Sequence, residues 1–171
     1  FFNQLNRKGI LTYSFYFAYK LWHKKVYEFC KSKIDINEYD LIHYLTPIGY
    51  REPGYLWKFD KPYIWGAIGG APNVDFRLVS RLDLIGKLKF YTRAILNTIQ
   101  LKFSRRLRKA LIHTTVLLTA TNENKKIFER VHSKKSIYIP ENGTFGKFHE
   151  SEFSMSKNNG KINLVWIGSV D

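Results

Sequence analysis

Three groups of residues in this sequence have the types and spacing to do chemistry. Gly66, Gly69 and Gly70 stand where an apolar strand gives way to a loop. Glycines there let a ligand approach the backbone and offer amide hydrogens to a phosphate, carboxylate or sugar oxygen. The spacing is neither that of a Walker loop nor that of the three-glycine dinucleotide fingerprint, and a tight turn with positive φ is the competing explanation. Glu141, Asn142 and Gly143 repeat the arrangement further on. His43 lies inside a short apolar run, where a hydrogen-bonded core histidine competes with a functional one. The third group is basic. Between Arg81 and Lys109, nine lysines and arginines face one acid, Asp83, and Lys102, Arg105, Arg106, Arg108 and Lys109 crowd the end of that stretch.

Several chemistries are disfavoured. The five histidines show no metal-ligand spacing, and the single cysteine, Cys30, offers no pair, so no metal is expected. The acids are scattered, so a glycosidase-like carboxylate pair has no support. One cysteine also rules out an internal disulfide, which fits a reducing, cytoplasmic setting. No run approaches the roughly 18 apolar residues of a membrane span, and the start lacks the pattern of a signal peptide. The chain does not begin with methionine, so it reads as part of something longer.

Of 171 residues, 44% are hydrophobic and 16% aromatic, enough to fold about one domain. A formal charge of +14 predicts an anionic partner: nucleic acid, acidic lipid or a phosphorylated substrate. The basic stretch has two readings, the solvated side of a helix or a peripheral contact with anionic headgroups, each base worth roughly 1 kcal/mol there. No RNP-type aromatic motif, zinc finger or helix-turn-helix pattern favours nucleic acid.

The elements that position these residues follow from periodicity. From Leu11 to Phe29, Leu11, Phe15, Ala18, Trp22, Val26 and Phe29 recur every three or four positions, the spacing that puts them on one face of a helix. Strands are expected at Leu41–Leu45 and Tyr63–Ile68, with a short helix over Pro53–Phe59 between them that packs Leu56 and Trp57 inward. Leu88, Ile95, Ile99, Phe103, Leu107 and Leu111 form one stripe, predicting a long helix packed on the sheet. Thr115–Thr119 reads as a buried strand, Asn122 as the cap of a helix running to about His132, and Ser136–Ile139 as another strand. A polar connector, 146–160, precedes a last strand at Ile162–Ile167. Strands alternating with helices imply an α/β fold with a parallel sheet flanked by helices, and ligands of such sheets bind beyond the carboxyl ends of the strands. Those ends are Thr46 to Arg51, Gly66 to Pro72, Thr121 to Glu123, and Pro140 to Thr144.

Three runs carry a resemblance: Tyr39-Asp40-Leu41-Ile42-His43-Tyr44-Leu45-Thr46, then Tyr50-Arg51-Glu52-Pro53-Gly54-Tyr55-Leu56-Trp57, then Lys61-Pro62-Tyr63-Ile64-Trp65-Gly66-Ala67-Ile68-Gly69-Gly70. With Thr119-Ala120-Thr121-Asn122-Glu123 and Ile139-Pro140-Glu141-Asn142-Gly143, they resemble the amino-terminal domain of bacterial group 1, GT4-type glycosyltransferases, and Asn163-Leu164-Val165-Trp166-Ile167-Gly168 resembles the first strand of that family's second domain. The resemblance covers about Asp40 to Asp171. It implies a Rossmann-like domain, the amino-terminal half of a GT-B fold, over residues 1–145, with its first strand preceding Phe1. A linker at 146–160 and the first strand of a donor-binding domain at 161–171 would follow.

By the same resemblance, such an enzyme moves a sugar from a nucleotide-sugar donor to a glycan or lipid-linked acceptor with retention, in bacterial polysaccharide or glycolipid assembly. His43, Thr46, Arg51, Gly66, Gly69 and Gly70 would line the acceptor side of its cleft. Thr121, Asn122, Glu123, Asn142 and Gly143 would sit at the other strand ends. Lys102, Arg105, Arg106, Arg108 and Lys109 would face the inner surface of the cell membrane. No cofactor or metal is implied, and nucleic acid is not a partner. Ala67 stands where the family usually has proline, and the Trp65–Gly70 loop replaces a strand-end histidine common among relatives, so no catalytic residue is carried over. The piece lacking the donor half should transfer no sugar alone. A non-catalytic basic module that binds anionic membrane or nucleic acid is the alternative.

Overall fold

The computed structural model describes residues 14–45 and 48–140. It is an α/β fold: four parallel strands in the order β1-β2-β3-β4, flanked by helices, a Rossmann-like arrangement. Helix α1 spans Ser14–Lys33 and precedes β1, Ile42–Tyr44. A 3₁₀ turn at Leu56–Lys58 leads to β2, Tyr63–Ile68. A second one at Phe76–Arg81 leads into α2, Leu84–Phe103, and α3, Arg105–His113. Strand β3, Val116–Thr119, helix α4, Asn122–His132, and β4, Ile137–Tyr138, complete the described chain. The chain divides between Glu141 and Asn142, and every described residue lies before that division. Thr46, Asn142 and Gly143, the 146–160 linker and the 161–171 strand lie outside the described residues.

The core is unusually aromatic. Tyr44, Tyr50, Trp57, Tyr63, Trp65 and Phe128 are all buried, together with Ile68, Leu107 and Leu117. Each large ring removed from water contributes about 3 kcal/mol before the loss of side-chain freedom is counted. The tyrosine hydroxyls find partners: Tyr63 donates to the Pro53 carbonyl (3.4 Å) and Tyr44 to that of Glu52 (3.2 Å).

Four expectations change. The single long helix is two, broken at Ser104, whose side chain accepts from the Leu107 amide and starts α3 afresh while its own amide bonds Gln100. The predicted stripe splits there: Leu107 and Leu111 are buried, but Leu88, Ile95, Ile99 and Phe103 are exposed, and α2 turns Ala94, Asn97 and Leu101 inward instead. Likewise the apolar face of α1 is not its buried one: His23 is buried, Trp22 and Phe29 stay exposed, and Ala18 and Val26 are partly covered. Helix α4 is capped one residue earlier than predicted, by Thr121, whose hydroxyl accepts from the Asn124 amide (3.1 Å).

Gly66 is the fourth correction. It sits inside β2, not in the loop after it, with φ at +128°. A Cβ there would come within 2.2 Å of the Leu118 carbonyl oxygen on the neighbouring strand. The register of β2 against β3 shifts between Trp65 and Ile68 at this point, so Gly66 allows an irregular strand to lie close against its partner.

Candidate functional site

The loops that leave β1 and β2 meet at the carboxyl edge of the sheet. The Gly69 amide bonds the Ile48 carbonyl (2.8 Å) and the Tyr50 amide bonds the Gly69 carbonyl (3.3 Å), so Gly49 and Gly69 form a parallel bridge that extends the pairing past the strands. This fixes Arg51 beside Gly70, whose open side faces the Arg51 guanidinium at 3.9 Å from the position a Cβ would take. Gly70 has φ at +79°, a conformation that glycine adopts without penalty.

The floor under Arg51 is built by two buried asparagines. Asn97 of α2 accepts on Oδ1 from the Tyr50 hydroxyl (2.6 Å) and from Arg51 Nη2. Its amide nitrogen donates to the Ala71 carbonyl (2.9 Å) and to Asn73 Oδ1 (2.8 Å). Asn124 of α4 accepts from the Ala71 amide (3.0 Å) and donates to Thr121 Oγ1 (2.7 Å). Asn97 thus ties the loop after β1 to the loop after β2, and Asn124 ties the latter to the start of α4, which helps hold that loop in one shape although it lacks regular structure. Arg51 Nε also donates to Gln100 Oε1 (2.8 Å), and its guanidinium lies 4.9 Å from the Tyr50 ring centre.

Electrostatically, the arrangement is one-sided. Arg51 is half-buried, and its partners among the described residues are two neutral amides and an aromatic face; no carboxylate pairs with it. Burial pushes the Tyr50 phenol up, so it remains a neutral donor, with the Arg51 charge pulling weakly the other way. The edge therefore offers a fixed positive charge beside the Gly70 backbone. It suits a ligand carrying an anionic group or several hydroxyls.

The other expected residues are dispersed. His43 is exposed and not a core histidine: it points out of β1 and donates from Nε2 to the Gly66 carbonyl (3.2 Å). The buried histidine is His23, 3.0 Å from the Tyr44 hydroxyl. Thr121, Asn122 and Glu123 are exposed where α4 begins, so they border the same sheet edge past β3. The basic cluster does not act as one surface. Arg106 turns inward, pairing with buried Glu52 and lying 5.2 Å from the Tyr55 ring centre. Arg108 donates to the Lys102 carbonyl (2.7 Å), tying α3 to the end of α2, while Lys102, Arg105 and Lys109 are exposed.

Asn97, Asn124 and Gln100 belong to this edge of the sheet, and sequence reasoning missed them. The signal existed for two of them: Asn124 shares an inward face with Phe128, and Asn97 with Ala94 and Leu101, at spacings of three and four. An asparagine on a buried helical face needs partners, and loops are where such partners are found. Among the described residues no group of three or more histidines, cysteines or acids could hold a metal ion, and no helix is long and apolar enough to cross a membrane. No protein-family model, curated protein or solved structure matches the chain.

Proposed function

We propose that this chain belongs to a retaining glycosyltransferase and forms the side of its cleft that receives the acceptor. The observation that carries the reading is the carboxyl edge of a parallel sheet on which Arg51, Gly69 and Gly70 converge over Asn97 and Asn124. This is where the family resembled by the 39–70 segment holds its acceptor, and ligands of open α/β sheets bind at such edges. Further support comes from the β1 edge, where Leu41 and Leu45 are about half exposed, apolar residues that a further strand would cover.

In this reading Arg51 draws an anionic or hydroxyl-rich acceptor to the edge, and the Gly70 backbone admits it closely. Asn97 is a positioning residue: it holds Arg51, Tyr50 and the Ala71–Asn73 loop in one geometry. Catalysis then rests on bringing an acceptor hydroxyl to the anomeric carbon of a donor sugar and on stabilising the departing nucleoside diphosphate, the second task falling to a donor-binding half.

The test is an assay on the full-length protein with a panel of nucleotide sugars and lipid-linked acceptors, following both transfer and donor hydrolysis. Transfer is expected, and Arg51→Gln should lower kcat/KM about a hundredfold, the loss of one charged hydrogen bond to the acceptor. Folded protein that neither hydrolyses nor transfers any donor in the panel would reject the reading.

A further inference from the structure

Helix α2 presents an apolar face to the outside. Leu84, Ile85, Leu88, Ile95, Ile99 and Phe103 are between 48 and 84% exposed. At about 100° per residue they fall within an arc of about 100°, opposite the inward Ala94, Asn97 and Leu101. Cations flank this arc. Lys89 and Arg93 lie along one border, Lys87 along the other, and Lys102 and Arg105 stand at its end. None of these five is ion-paired among the described residues. A folded domain rarely leaves a contiguous apolar surface in water without a use for it.

We propose that α2 lies along an anionic bilayer surface, with its outer face among the upper acyl chains and the flanking lysines and arginines among the headgroups. A lipid surface supplies both halves of the match, hydrocarbon for the arc and negative charge for its borders. The other occupants fit less well. A second copy pairing through α2 would bring Lys89 and Arg93 against the same cations. Nucleic acid would meet the borders and strand the apolar arc in water. The remaining parts of this chain bring no compensating charge: residues 1–13 carry Arg7 and Lys8 and no acid, and in residues 142–171 three acids, Glu150, Glu152 and Asp171, balance Lys147, Lys157 and Lys161. The surface shares Lys102 and Arg105 with the Lys102–Lys109 cluster, but Arg106 and Arg108 of that cluster are committed to contacts within the fold and take no part in it. It is independent of the glycosyltransferase reading and does not fail with it.

The experiment is flotation of the full-length protein with phosphatidylcholine vesicles, with and without phosphatidylglycerol, at low and high salt. Two variants accompany it, L88S/I95S/I99S and K89Q/R93Q, both on exposed positions. Wild type should float with the anionic vesicles and weakly with the neutral ones. The charge variant should lose about thirtyfold in partitioning to anionic vesicles, the worth of two charges at the headgroups. The apolar variant should lose about a hundredfold or more to either vesicle, with its thermal midpoint unchanged. Flotation of the apolar variant at the wild-type level overturns the proposal. So does a destabilised apolar variant, which would mean that the protein covers this face itself, or conversion of a dimer to a monomer with flotation intact. Oligonucleotide binding that the charge variant loses and the apolar variant keeps, without vesicle binding, assigns the face to nucleic acid instead.

Discussion

Helix α3 buries Leu107, Ala110 and Leu111, which are 1, 0 and 4% exposed, whereas α2, one residue upstream, buries Ala94, Asn97 and Leu101 and leaves Leu88, Ile95, Ile99 and Phe103 outside. In sequence Leu88, Ile95, Ile99, Phe103, Leu107 and Leu111 form one stripe at spacings of seven and four. Ser104, in extended backbone, separates the two outcomes, ending α2 and capping α3, so that α3 starts afresh with its own inward face. The difference teaches that periodicity marks which side chains share a face, while the partner decides which face goes in. For α3 the partner is the aromatic core. For α2 it is in part the loop after β2, with its backbone groups and Asn73 to satisfy, so the polar Asn97 goes in beside Ala94 and Leu101 while Leu88, Ile95 and Ile99 stay out.

The contrast is sharpest at Leu107. Leu107→Ala should destabilise the protein by about 3 kcal/mol, because the side chain is fully buried in the aromatic core and its removal leaves a cavity there. Urea denaturation reads this directly. A loss below about 1 kcal/mol would mean that α3 is no better packed than α2 and would erase the distinction.

The buried polar residues respond to pH. His23 is 3% exposed, and burial, aided by the nearby positive charge of Arg106, lowers its pKa from 6.5 to about 4. In the unfolded chain the imidazole takes up a proton below 6.5; in the fold it does so only below about 4. Stability is therefore full above pH 6.5 and falls as pH drops towards 4, by about 1.4 kcal/mol per unit and about 3 kcal/mol in total. Glu52 works in the opposite sense. Burial raises its pKa, against the hydrogen bond and charge of Arg106, so its contribution favours the fold at low pH and is lost as pH rises. Denaturation midpoints at pH 7 and 4.5, for wild type and His23→Gln, separate the two. The acid loss should shrink in the variant, and an unchanged slope would assign it to other groups.

Asn97 is the polar counterpart of Leu107. Asn97→Ala strips partners from the Tyr50 hydroxyl, Arg51, the Ala71 carbonyl and Asn73, and should cost about 2 kcal/mol, the penalty of leaving buried polar groups unpaired. Tyr50→Phe on that background should cost less than on wild type, since the Tyr50 hydroxyl has then lost Asn97 Oδ1 and keeps only the carbonyl at that position. Additive losses would show that Tyr50 and Asn97 act separately and that the floor under Arg51 is not one network.

How much of this was legible follows from the same contrast. The parallel α/β order, β2 and the end of α4 were readable, since alternation of short β-branched or aromatic runs with polar helices leaves few topologies. The grouping of Arg51 with Gly69 and Gly70 was also readable, because strand ends converge in such sheets. The inward faces of α1 and α2 were not, because His23 and Asn97 look like surface residues until their partners, Tyr44 and the Ala71–Asn73 loop, are brought near by folding. Gly66 reads as a turn glycine because its neighbours Gly69 and Gly70 are loop residues. Only the approach of the Leu118 carbonyl distinguishes it.

The smallest expected effect tests the comparison from its other side. Ile99 is 48% exposed on the outer face of α2, and Ile and Ser differ little in helix propensity, so Ile99→Ser should change stability by no more than about 0.5 kcal/mol. The value matters because it is small only if nothing in the protein rests on that face. An isoleucine packed under another segment would lose transfer free energy and leave a cavity, about 2 kcal/mol or more. Measured in the full-length protein without lipid, a near-zero change therefore leaves the α2 face open for an external surface, and a large one closes it.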